Sequence, residues 1–140
     1  MISVLKGSHD KIISIVGYEI GNPQISDSSL CSSEGVNVLR FTDAVNALEH
    51  FKINSKDYAL MISDLQMPVI NGAQLLKTVK DLNPSVRTVL TTDFEYDNKL
   101  IKEYTNKTII NDLFLKPVES HELVTEVDKQ IDIFEKTNEK

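Results

Sequence analysis

The apolar positions of this chain fall into short blocks separated by longer stretches of helical period. Lys11–Val16 (KIISIV), Val36–Phe41, Tyr58–Ser63 and Val86–Thr91 are compact apolar runs of strand length. Ile109–Leu115 is a fifth, interrupted by Asn111 and Asp112. Between them the period changes. Thr42 or Asp43 caps a helix that carries Val45, Leu48 and Phe51 on one face. An Asn71-Gly72 turn leads into a helix over Ala73–Asp81, with the pattern Leu75, Leu76, Val79, Leu82. Asn98–Tyr104 reads as a short helix, and Ser120 caps the clearest one, with Val124, Val127, Ile131 and Phe134 on one stripe. From Gly17 to Gly35 the pattern is weak: Asn22 and Pro23 could open a helix, but the serines that follow disfavour it. Strand–helix alternation of this kind implies right-handed crossovers and a parallel sheet covered on both faces. No linker divides the chain. One domain is expected over 11–135, after a tail at 1–10 and before a frayed end at 136–140.

Composition narrows the function. With 140 residues and 41% hydrophobic content the chain can fill a single core. A formal charge of −6 without a basic stripe argues against direct DNA binding. Cys31 is the only cysteine, so neither an internal disulfide nor a cysteine metal site is expected. No run is long and apolar enough to span a membrane, and Met1–Asp10 lacks a signal-peptide layout, so a cytoplasmic location is the expectation. His9, His50 and His121 are scattered without a second ligand at helix spacing, which suggests surface roles.

Chemistry concentrates around Asp64. The third strand ends on this acid, at the edge where open parallel sheets place their ligands. A carboxylate on a strand tip, held by a proline-containing loop, is a plausible nucleophile. The sequence Asp64-Leu65-Gln66-Met67-Pro68, then Asn71-Gly72, then Leu75-Leu76-Lys77, resembles the phosphoacceptor segment of response-regulator receiver domains. Thr92 at the end of the fourth strand and Lys116-Pro117 after the fifth complete the resemblance, which covers roughly 11–135.

The resemblance implies a flavodoxin-like doubly wound (βα)5 fold, with a five-stranded parallel sheet in the order 2-1-3-4-5. It implies that Asp64 accepts a phosphoryl group, with Thr92 and Lys116 neutralising phosphoryl oxygens and a cis Lys116–Pro117 bond aiming the ammonium inward. It implies a Mg²⁺ ion held by Asp64 and the Gln66 backbone carbonyl. The implied partners are a sensor histidine kinase or phosphotransfer protein, and a separate downstream protein target. Any catalysis would be limited to self-phosphorylation and slow self-dephosphorylation at Asp64.

Several positions depart from the family pattern. Gly17 and Tyr18 stand where receivers carry an acidic pair for the metal, and only Glu19, one residue late, offers a carboxylate. Mg²⁺ is therefore expected to bind weakly or not at all. Asp93 follows the hydroxyl residue where a small one is usual; reading Thr91-Thr92 as the hydroxyl–small pair removes that conflict. Leu113 replaces the aromatic three residues before Lys116, and Phe114 beside it faces the other way. Two readings stay open: a stand-alone phosphorylated receiver, or a pseudo-receiver acting as a phosphorylation-independent interaction module. A flavodoxin-like cofactor binder is a remote third. The last helix could dock a partner or a second copy as a homodimer.

Overall fold

The computed structural model describes residues 11–17, 36–92, 99–116 and 119–137. The described strands are β1 (Lys11–Val16), β2 (Val36–Phe41), β3 (Tyr58–Asp64), β4 (Arg87–Thr92) and β5 (Asp112–Leu115). They form one parallel sheet in the order β2-β1-β3-β4-β5, as the sequence predicts. The described helices are α1 (Ala44–Asn54), α2 (Gly72–Leu82), α3 (Lys99–Asn106) and α4 (Ser120–Thr137), with a 3-10 turn over Ser55–Asp57. The expected tail, the Asn22–Pro23 helix start and the last three residues lie outside the described residues.

Every residue of β3 is buried, which is what a central parallel strand requires and why YALMISD shows no alternation. Two apolar clusters flank the sheet. Val16, Tyr58, Met61 and Leu90 pack with Phe51 of α1, Leu76 of α2 and Ile101 of α3. Ile13, Ile15, Leu60, Ile62 and Val89 pack with Leu123, Val127, Ile131 and Phe134 of α4.

Local chemistry explains the boundaries. Asp43, not Thr42, caps α1: its carboxylate accepts the Asn46 N–H at 2.8 Å. The buried stripe of α1 is Ala44, Ala47 and Phe51, whereas Val45, predicted on that face, is exposed. Leu82 is likewise exposed, one turn past the last buried residue of α2, Val79. β5 begins at Asp112 rather than Ile109. Thr108 takes a positive φ of 60°, and the Ile109 and Ile110 N–H groups both turn back to the Tyr104 carbonyl to close α3.

Candidate functional site

The register of the sheet builds the site at its carboxyl edge. Asp64 ends β3 opposite Thr91, Ser63 pairs with Val16, and Thr92 pairs with Leu115. Gly17 and Lys116, one residue beyond β1 and β5, therefore flank the strand ends from two sides. The Lys116 Nζ donates to Asp64 Oδ2 at 2.8 Å, and the two side chains are 13% and 7% exposed. An ion pair this enclosed is only weakly screened by salt. The Thr91 hydroxyl donates to the other carboxylate oxygen, Oδ1, at 3.4 Å.

The sequence expectation placed that hydroxyl on Thr92, and the register corrects it. Thr91 is the residue set directly opposite Asp64, and successive strand residues face opposite ways. Thr92, also buried, contributes its carbonyl, which accepts the Lys116 N–H at 2.7 Å. This is the Thr91-Thr92 register that the sequence left as the second choice. Asp93, Tyr18, Glu19 and the Lys116–Pro117 bond lie outside the described residues.

The loop after Asp64 is tied back onto it. Leu65 N–H donates to the Thr91 carbonyl at 2.7 Å, and Gly72 N–H donates to the Leu65 carbonyl at 2.8 Å. The Ser63 hydroxyl donates to the Asp64 carbonyl at 2.9 Å. Asn71 and Gln74 form a reciprocal capping box that starts α2. A Cβ at Gly72 would collide with the Asp64 carbonyl, so only glycine lets the helix start this close. Within the loop, Val69 has φ 72° and is 86% exposed, and Ile70 N–H donates to the Pro68 carbonyl at 2.8 Å. Positive φ with an i to i+2 bond is the strained γ-turn, unusual for a β-branched residue. A recess of about 380 Å³, lined by Leu65, Gln66, Met67, Asn71, Ala73, Leu100 and Ile101, opens beside this loop.

Gly17 has φ +133°, and a Cβ there would lie 2.7 Å from Asp64 Cβ and 3.0 Å from Oδ2. The position that the resemblance assigns to an acid is thus closed to any side chain in this backbone geometry. Among the described residues no three His, Cys, Asp or Glu side chains are grouped to hold an ion. Asp64 is the one described carboxylate of the site, and an ammonium already engages one of its oxygens. These residues fall short of the oxygen set Mg²⁺ takes.

The remaining sequence candidates sort plainly. Leu113 is exposed, and Phe114 packs against the α4 side of the sheet, as alternation predicts. His121 is exposed beside Glu119. His50 departs from the expected surface role. Its Nδ1 lies 2.8 Å from the Tyr58 hydroxyl, which lies 2.6 Å from the Ser14 hydroxyl inside the core. Tyr58, raised above the usual phenol range by burial against the opposing Ser14 bond, is the hub of that chain.

With this geometry in place, comparison with known proteins is decisive. Residues 24–128 match the family model of the response regulator receiver domain. The chain belongs to this family. The match begins after β1, so Gly17 to Glu19 lie outside it. A CheY-like receiver domain from Methanospirillum hungatei superposes with a TM-score of 0.69 at 24% identity, covering 92% of this chain and 99% of that one. The signal receiver domain of an HD domain-containing protein from Pseudomonas fluorescens gives 0.69 at 24% identity, covering 91% and 98%. At the level of sequence, 50 residues are 46% identical to the autoinducer 1 sensor kinase/phosphatase LuxN of Vibrio campbellii. That stretch is 36% of this chain and 6% of LuxN.

Proposed function

We propose that Asp64 is the phosphoacceptor of a two-component signalling receiver. The carrying observation is the convergence of Asp64, Lys116 and Thr91 in one enclosed pocket at the sheet edge. In the proposed step Asp64 Oδ1 or Oδ2 attacks the donor's phosphorus, an O–P bond forms, and the donor's bond to phosphorus breaks. Lys116 moves from the carboxylate to a phosphoryl oxygen, and the Thr91 hydroxyl donates to another. Placement and charge neutralisation are most of what a protein contributes to such a transfer. The donor would be a sensor histidine kinase or a phosphotransfer protein, and the receiver would act on a separate protein target in the cytoplasm. The likeness to a sensor kinase/phosphatase supports a phosphorelay setting.

Gly17 favours a second reading, a phosphorylation-independent interaction module, because it removes the first acid of the metal set and blocks its return. One experiment separates the two. The chain is incubated with phosphoramidate or acetyl phosphate, with and without Mg²⁺, and its intact mass is measured beside Asp64→Asn and Thr91→Val. The first reading expects one phosphoryl adduct in the parent, none in Asp64→Asn and about tenfold slower formation in Thr91→Val. An unmodified parent at high donor and metal establishes the second.

A further inference from the structure

A chain of polar atoms crosses the apolar cluster between α1 and the sheet. Nδ1 of His50 on α1 lies 2.8 Å from the Tyr58 hydroxyl at the start of β3, and that hydroxyl lies 2.6 Å from the Ser14 hydroxyl of β1. Tyr58 and Ser14 are fully buried, so neither turns to water, whereas His50 is half-buried. Aromatic rings fix the imidazole: Phe41 of β2 tilts against it at 5.6 Å, and Tyr58 meets it edge-on at 5.8 Å.

Two hydrogen bonds use two protons. With Nδ1 bare, Tyr58 donates to it, Ser14 donates to Tyr58, and both protons are spent. With a proton on Nδ1, in the other neutral tautomer or in the imidazolium, three protons compete for the same two bonds. One hydroxyl is then left with a buried donor and no acceptor in the chain, which costs the desolvation of that group. The carbonyls nearby give little relief, because Ser14 sits in a strand paired on both sides. Loss of the Tyr58 proton gives none, because burial holds the phenol above its usual range.

No charged partner offsets a proton on His50. Tyr58 is the titratable group that faces it from β3, while β1 offers the Ser14 hydroxyl and β2 the Phe41 ring. On α2, Lys77 is engaged by Asp81, and Lys80 by the Val86 carbonyl and Asn111. Glu49 and Lys52, near it on α1, are exposed.

We propose that His50 is a proton-sensitive latch: neutral, with its proton on Nε2, it fastens α1 to β3 and β1, and on taking a second proton it breaks one bond of the chain and loosens α1. Acid therefore weakens this fastening. Phe41, whose ring bears on His50, accepts the Gly17 N–H through its carbonyl at 2.9 Å, so the latch touches the strand ends beside Asp64. It does not depend on whether Asp64 takes a phosphoryl group.

The test is NMR on the full chain. At about pH 7.5 the long-range proton–nitrogen spectrum of the His50 ring is expected to show a bare Nδ1 and a protonated Nε2. As the ring titrates toward about pH 5.5, amide exchange over 47–54, corrected for its intrinsic pH dependence, should rise about tenfold relative to β4. That rise should follow the His50 ring shifts. His50→Gln should hold the protection of α1 constant over the same range. Should that variant fail to fold, Ser14→Ala combined with Tyr58→Phe, which removes both hydroxyls, carries the same expectation. A proton on Nδ1 at the higher pH, α1 exchange that ignores the His50 titration, or an equal rise in a folded variant would each overturn the latch.

Discussion

Gly17 and Gly72 stand against the same aspartate from two sides, one facing its side chain and the other its carbonyl. Gly17→Asp, the substitution that restores an acid to the family position, is therefore expected to lower Tm rather than repair metal binding. Its side chain would have to displace Asp64 while adopting a φ that L residues avoid. Thermal melts with and without Mg²⁺ check this: a Tm equal to the parent's contradicts it. Val69 is the converse case. Its φ of 72° costs a β-branched residue, and its side chain is solvent-exposed, so Val69→Gly should raise stability by about 1 kcal/mol in denaturant melts. The Asp64–Lys116 pair has a sharper signature. Lys116→Met strands a buried carboxylate and should cost about 3 kcal/mol, and adding Asp64→Asn should recover much of it. Additive single and double variants in a denaturant cycle would show the two groups to be uncoupled.

The fastening of α4 to the sheet is where pH enters. Glu126 on α4 accepts the Gln130 amide at 2.6 Å, with Lys129 3.8 Å away, and Lys129 reaches Asp112 on β5 at 3.0 Å. Arg87 of β4 meets the same group through Gln130. Burial, then the Asp112 carboxyl, push Glu126 up to about 7. Asp112, although burial opposes it, is held below the usual range by bonds from Glu126, Lys129 and the Leu113 N–H. The raised acid binds its proton more tightly folded than unfolded. Its contribution is full below the ordinary glutamate range and is lost as pH rises through about 7. Asp112 acts oppositely, its contribution being lost only as pH falls below that of an ordinary aspartate. Tm should therefore decline as pH rises from about 5.5 to about 8, and Glu126→Gln should flatten that slope. An unchanged slope in the variant would place the titration elsewhere.

Elements of this kind mark what the sequence could and could not say. The acid of α4 reads as one more residue on a solvated face, because its neighbours across the chain are invisible in a linear pattern. So too with Thr91: two adjacent threonines are equivalent in sequence, and only the pairing of β4 with β3 decides which one meets Asp64. His50 gave no signal because its partner, Tyr58, is simply one more apolar position in the pattern.

For the whole molecule, a parallel sheet was legible from strand–helix alternation, and its strand order only through the family resemblance that Asp64, the threonine and Lys116 carry. The rim of the site was not. Whether Gly17 marks a loss or an adaptation depends on a distance to Asp64 of less than a van der Waals contact, which no motif encodes.

Among the described strands no pair is joined by a hairpin. Even neighbouring Lys11 and Val36 come from separate stretches of chain, and β1 finds its other neighbour only in β3. On a ribosome, Ile13, Ile15 and Ile62 therefore wait with part of their cover missing until residues 120–134 have been synthesised. Until then that face of the sheet stays open on the nascent chain, a natural point for a chaperone to hold it.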